Sequence, residues 1–149
     1  AYLSGRIVDS RGEPIRGAVI EIWQADATGI YLHTRSGDQS KRDAGFQGYG
    51  RFLTGSKGEY LFRTLKPTAY TGRTAHIHVK VRKNGKELLT TECYVAGEPK
   101  NATDGVLNSV QDPKARAALV VPFTPLARSR AGEMEARFDI VLDPAAARD

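Results

Sequence analysis

Apolar and polar residues alternate along most of this chain, the mark of strands that bury one face and expose the other. Residues 3–9 form a first strand that ends in a turn around Gly12 and Pro14. Residues 18–23 alternate and are rich in β-branched side chains, predicting a second strand. Two short strands, 51–54 and 59–64, flank a turn at Ser56, Lys57 and Gly58. The clearest pattern follows: Ala75, Ile77, Val79 and Val81 form an apolar row, and His76, His78, Lys80 and Arg82 form the opposite one. Asn84–Gly85 is a two-residue hairpin signal, with 87–95 as the returning strand. Residues 97–112 read as a loop, and Asp112 and Pro113 open one short helix over 114–119. Phe138, Ile140 and Leu142 mark a final strand over 136–143, and the alanine-rich tail after Pro144 frays. Seven or so short strands and one short helix predict an all-β domain, an antiparallel β-sandwich.

The length of 149 residues suits a single domain covering 1–149. No apolar run reaches the length of a membrane span, which argues against a membrane partner. The formal net charge is +5. Its basic residues are scattered, from Arg6 and Arg16 through Lys66 and Lys100 to Arg128, with no Lys/Arg-rich block. That argues against nucleic acid and for a basic surface that attracts small anions. Cys93 is alone, so the chain has neither an internal disulfide nor a zinc-type cysteine pair, and it reads as a small buried residue. The chain opens at Ala1 without Met, as after removal of a leading segment such as an export signal; a cytoplasmic or an exported location both fit.

His76 and His78 lie two apart on a strand, so both imidazoles face one way and can hold one metal ion. The plainer alternative is a surface strand with polar outward residues. Paired imidazoles suit zinc, copper, iron or nickel, and the single cysteine argues against a structural zinc site. A two-histidine, one-carboxylate ferrous site needs an acid, and Glu92 on the partner strand is a candidate. Tyr70 lies six residues before His76, with Arg73 between them. A phenol with a pKa of about 10 binds as phenolate at neutral pH only to a strongly acidic metal such as Fe(III). The polar, glycine-rich stretch 33–50 is long for a small domain and reads as a functional loop.

Five runs in order carry a resemblance: 23–31 (Trp-Gln-Ala-Asp-Ala-Thr-Gly-Ile-Tyr), 45–51 (Gly-Phe-Gln-Gly-Tyr-Gly-Arg), 58–64, 67–70 and 73–78 (Arg-Thr-Ala-His-Ile-His). Together they resemble the intradiol ring-cleaving dioxygenases, protocatechuate 3,4-dioxygenases above all, from Leu3 to Leu142. The resemblance implies a transthyretin- or prealbumin-like sandwich and a non-haem Fe(III) held by Tyr31, Tyr70, His76 and His78. It makes Tyr31 and His76 the equatorial pair, and Tyr70 and His78 the axial pair. It implies that a small aromatic diol chelates the iron, displaces Tyr70 and is opened by O2 between its hydroxyls to a cis,cis-muconate. Arg73 matches the family's active-site arginine, suited to charge developing on the ring.

Where the family usually has Thr–Gln on the strand after the hairpin, this chain has Thr91–Glu92. A carboxylate beside a catecholate is repulsive unless protonated or paired, for instance with Arg73. An ideal Asn84–Gly85 turn sets Glu92 opposite Ile77, and a one-residue bulge would flip that. The sequence starts at the first strand, which relatives precede with N-terminal segments, and three expectations follow: an unusually open site, a cover from a segment missing here, or a cover from a partner chain in a homo-oligomer. Two rival readings stand beside an active enzyme: a non-catalytic prealbumin-like binding module, and an iron-binding homologue slowed by Glu92. Among other residues, Trp23 and Phe62 are expected in the core, His33 in a surface hydrogen bond or else near the iron mouth, and Asp26 in hydrogen bonds to the backbone of its loop. Gln47 and Arg51 either contact substrate or, the favoured reading, brace the long loop, and Tyr49 either packs or lines the pocket. The basic balance favours an anionic aromatic such as protocatechuate.

Overall fold

The computed structural model describes residues 1–25, 48–70 and 72–143. The strands are β1 (Tyr2–Asp9), β2 (Val19–Trp23), β3 (Tyr49–Leu53), β4 (Glu59–Arg63), β5 (His76–Lys83) and β6 (Lys86–Val95), then β7 (Val120–Val121), β8 (Thr124–Pro125), β9 (Met134–Arg137) and β10 (Ile140–Leu142). Helix α1 covers Gly105–Asn108, α2 covers Pro113–Ala118, and a 3-10 turn covers Pro99–Ala102. The described fold is all-β, built from two five-stranded sheets. One joins β4, β10, β9 and β8 around β1, and the other runs β3-β2-β5-β6-β7.

Both sheets feed one core. Leu3, Ile7, Tyr60, Phe62 and Ile140 from the first meet Ile20, Ile77, Val79, Val81 and Cys93 from the second. The apolar row expected on β5 is fully buried, with Ala75, Ile77, Val79 and Val81 all at 0% exposure. Each such aliphatic side chain larger than alanine stabilises the fold by roughly 1.5–3 kcal/mol relative to exposure. Burial also pushes the Cys93 thiol up to about 12, so it stays protonated and inert.

Three expectations are corrected. The sheets are mixed, since β1 pairs in parallel with β9 and β10, and β6 pairs in parallel with β7. The chain crosses between sheets through β7 and β8 before returning beside β1, so no hairpin forces the last strands antiparallel. The final strand is also interrupted. β9 and β10 hold one register on β1, but Phe138 and Asp139 step out of the ladder opposite Gly5 and Arg6. There the Asp139 carboxylate accepts from the Arg6 backbone N–H at 2.9 Å, and Tyr60 donates its hydroxyl to the Phe138 carbonyl. A side chain at Gly5 would collide with that carbonyl. Finally, the described residues hold two α-helices and a 3-10 turn where one helix was expected, because the Asp104 side chain caps α1 as Asp112 caps α2.

The β5–β6 hairpin carries a bulge. Lys83 pairs with Lys86 and Arg82 with Glu87, but Val81 pairs with Leu89. Leu88 is the extra residue, and both Leu88 and Leu89 pack against the core. From there every pairing is shifted by one, so Glu92 lies opposite His78 and on the same face as it.

Candidate metal centre

The working face is the one that β2, β5 and β6 turn away from the core. Adjacent pairings align Tyr49, Trp23, His78 and Glu92 in one row across four strands. His76 and Tyr94 form the next pair along. Strand period and the hairpin bulge together place two imidazoles, one carboxylate and one phenol side by side.

The imidazoles converge through their Nε2 atoms, 3.2 Å apart. His76 donates Nδ1–H to the Thr74 carbonyl at 2.8 Å, which fixes its tautomer and leaves the Nε2 lone pair outward. The Tyr70 hydroxyl lies 3.4 Å from that same Nε2. A reciprocal backbone bridge between Tyr70 and Arg73 holds the phenol there. Trp23 stacks flat on His78, with ring centroids 4.9 Å apart and planes parallel. Trp23 is therefore half-buried at the site, not in the core, whereas Phe62 is in the core as expected. Burial lowers the His76 pKa. Burial and then the neighbouring His76 take His78 down to about 4. Both rings are thus neutral at pH 7, the form that ligates metal. Two imidazole nitrogens, with a phenol oxygen beside one of them, are donor types that suit ferric iron.

Glu92 is held on the far side of His78. Its Oε1 lies 3.5 Å from His78 Nδ1, while Arg73 donates to Oε2 at 2.5 Å and Tyr94 donates its hydroxyl to the same oxygen. Ligand atoms of His76, His78 and Glu92 fall within 4.8 Å of one another, which by distance alone permits a two-histidine, one-carboxylate site. The hydrogen bonds argue otherwise, because Glu92 already commits its oxygens to Arg73 and Tyr94. Burial works to raise the Glu92 pKa, but the bonds from Arg73 and then Tyr94 prevail and hold it below the usual carboxylate range. Tyr94 moves the opposite way, raised by burial and by donating to Glu92.

Arg73 is clamped from its other edge by Asp104, whose Oδ2 accepts from Nε at 2.9 Å. That carboxylate has a fully buried side chain and also accepts from the backbone N–H groups of Thr74, Val106 and Leu107. Burial alone would raise its pKa, yet these donors, Arg73 foremost, bring it down to about 2. Asn101 completes the brace, accepting from the Thr74 hydroxyl at 2.6 Å and donating to the Val95 carbonyl at 2.8 Å.

The structure brings Tyr70, Arg73, His76, His78 and Glu92 together, and for Glu92, whose register the sequence leaves open, the Leu88 bulge is what does so. Tyr31, His33, Asp26 and Gln47 lie outside the described residues. Nothing in the sequence pattern singles out Asp104, Tyr94 or Asn101 for this site. Asp104 does carry a signal, a capping residue ahead of Val106 and Leu107, but it sits in a stretch that reads as loop. Tyr49 is 48% exposed at the end of the row, and burial, then Glu21, raises its pKa.

Comparison with known proteins gives a consistent picture. A family profile described as Dioxygenase matches residues 1–144. The beta chain of protocatechuate 3,4-dioxygenase from Burkholderia cepacia is 33% identical, over 94% of this chain and 63% of that protein. Catechol 1,2-dioxygenase from Acinetobacter baylyi is 32% identical, over 68% of this chain and 38% of that protein. This chain therefore spans less than two thirds of the length of these curated relatives. Among solved structures, the dioxygenase domain of a dioxygenase–carbohydrate-binding fusion from Streptomyces sp. SirexAA-E is 36% identical. It superposes with a TM-score of 0.71 over 95% of this chain and 78% of that one. Catechol 1,2-dioxygenase from Acinetobacter sp. ADP1 superposes with a TM-score of 0.75 at 28% identity, over 95% of this chain and 52% of that one.

Proposed function

Because the chain belongs to the intradiol ring-cleaving dioxygenase family, we propose that it opens a catechol between its two hydroxyls with O2, using non-haem Fe(III) held by Tyr31, Tyr70, His76 and His78. The observation that supports this most is that His76 Nε2 has both His78 Nε2 and the Tyr70 hydroxyl within 3.4 Å. A non-catalytic binding module has no use for such a set. The shared core between two sheets supports a transthyretin-like β-sandwich as the scaffold, acting as one catalytic unit over 1–149.

When bound, ferric iron supplies Lewis acidity that draws electron density from a coordinated diol and readies its ring for O2. The protein's own part is positional and electrostatic. Thr74 fixes the tautomer of His76, and Trp23 fixes the plane of His78. Tyr70, in the phenolate form that iron ligation would give it, has its oxygen beside His76, where it could take up a proton from an arriving hydroxyl. Arg73 supplies a fixed cation whose direction is set by Asp104 and Glu92.

The test is a visible spectrum of the iron-loaded protein, before and after a catechol is added without oxygen. A broad phenolate-to-iron charge-transfer band that moves to longer wavelength on adding the diol is expected. Tyr31→Phe is expected to abolish or shift that band, and an unchanged band would remove Tyr31 from the ligand set. A colourless protein that takes up no iron on reconstitution would return the chain to the binding-module reading.

A further inference from the structure

A cavity of about 260 Å³ opens beside the His78 imidazole, lined by His78, Thr90, Glu92, Tyr94, Val106 and Ser109 among others. It lies between β6 and the segment that carries α1, and a single substituted ring is the scale of ligand it takes. Glu92 is the one acidic group among its described lining residues, which include no Lys or Arg. The bulge at Leu88 is what brings this carboxylate to the cavity face.

Arg73, the cation beside Glu92, is not among the described lining residues and is engaged by carboxylates. Arg73 gives Nε to Asp104 at 2.9 Å, and its two terminal nitrogens to Glu92 at 3.4 and 2.5 Å. The guanidinium fork is therefore taken up by two carboxylates. Both edges of Arg73 thus face carboxylates, and Glu92 is the charged carboxylate that the described cavity lining presents.

We propose that Glu92 makes this site selective for neutral catechols and against catechols that carry an anionic ring substituent. The inference rests on the catechol-cleaving reading above and adds the substrate class to it. A ring carboxylate in the cavity would face a half-buried like charge with no Lys or Arg among the described lining residues to offset it. A neutral substituent meets no such barrier, and a third hydroxyl can donate to Glu92 or pair with the hydroxyls of Thr90 and Ser109. The overall charge of +5 points the other way, toward anions. Its contribution comes from dispersed surface groups and is screened beyond about 8 Å at physiological salt, so the local carboxylate governs binding.

The experiment is an anaerobic titration of the iron-loaded protein, followed by calorimetry and by the shift of the visible band. The probes are catechol, 4-methylcatechol, benzene-1,2,4-triol and 3,4-dihydroxybenzoate. The neutral diols are expected to bind at least about tenfold more tightly than the benzoate, a difference of about 1.4 kcal/mol. In Glu92→Gln the gap is expected to narrow at least fivefold, chiefly because the benzoate binds more tightly. If wild-type protein binds the benzoate as well as the neutral diols, the inference is overturned whatever the variant does. It is overturned too if the folded variant keeps the wild-type ratio. Binding of diols without discrimination leaves the catechol-cleaving reading intact, whereas no binding of any diol overturns both.

Discussion

Replacing His76 with alanine is expected to strip the protein of iron. Metal content after reconstitution and desalting should fall below the detection of a stoichiometric site, with affinity reduced by more than about 100-fold. That exceeds what removing a supporting hydrogen bond behind a metal ligand costs, about 10- to 100-fold. The reason is geometric. His76 is the hub of the cluster, 3.2 Å from His78 Nε2 and 3.4 Å from the Tyr70 hydroxyl, so its removal breaks both pairings at once. The backbone around it is held independently by the β5–β6 ladder and by Asp104, so the variant should still unfold cooperatively. A variant that kept a full complement of iron and its visible band would show that the metal sits elsewhere.

Asp104→Asn is expected to destabilise the fold by about 2 kcal/mol at neutral pH, read from urea unfolding. The carboxylate titrates near 2 in the folded chain against an ordinary 3.8, and a shift of that size corresponds to about that energy. The sign follows from the depressed value. The folded state favours the ionised form, so the stabilisation is complete above pH 4 and is lost as pH falls through 2. The gap between wild type and Asp104→Asn should therefore close between pH 4 and pH 2. A gap that stayed constant across that window would assign the effect to lost cap geometry and not to charge. The same variant loosens one edge of Arg73, which ties the stability of α1 to the direction of the active-site cation.

Much of this architecture is legible in the chain. The period-two row through β5 names both the buried face and the two imidazoles, because burial on one side leaves only one register. The hairpin is legible from Asn84–Gly85, where Asn84 takes a φ of 52° and Gly85 one of 76°, as a tight turn of this hand requires. What lies beyond reach depends on long-range geometry. The parallel pairing of β1 with β9 and β10 follows from a crossover that no local pattern encodes. The placement of Glu92 hangs on one unpaired residue, Leu88, whose apolar side chain fits a regular strand as well as a bulge. Asp104 escapes a sequence reading because its partners Arg73 and Thr74 are distant in sequence, and a capping aspartate looks the same whether or not it also grips an arginine. Size alone places Trp23 in the core, whereas its partner is an imidazole across the ladder.

The Leu88 bulge behaves like an insertion that the hairpin has already corrected. With Arg82 paired to Glu87 and Val81 to Leu89, a chain one residue shorter at this point would zip into an unbroken ladder and still bring Glu92 to His78. A length difference of one in this hairpin is therefore silent at the working face. The same difference without a compensating kink would exchange the two faces, bringing Cys93 outward and turning Glu92 into the core. Alignments of related chains through this hairpin should accordingly be judged by which side chain faces the imidazoles, and not by counting residues from the turn.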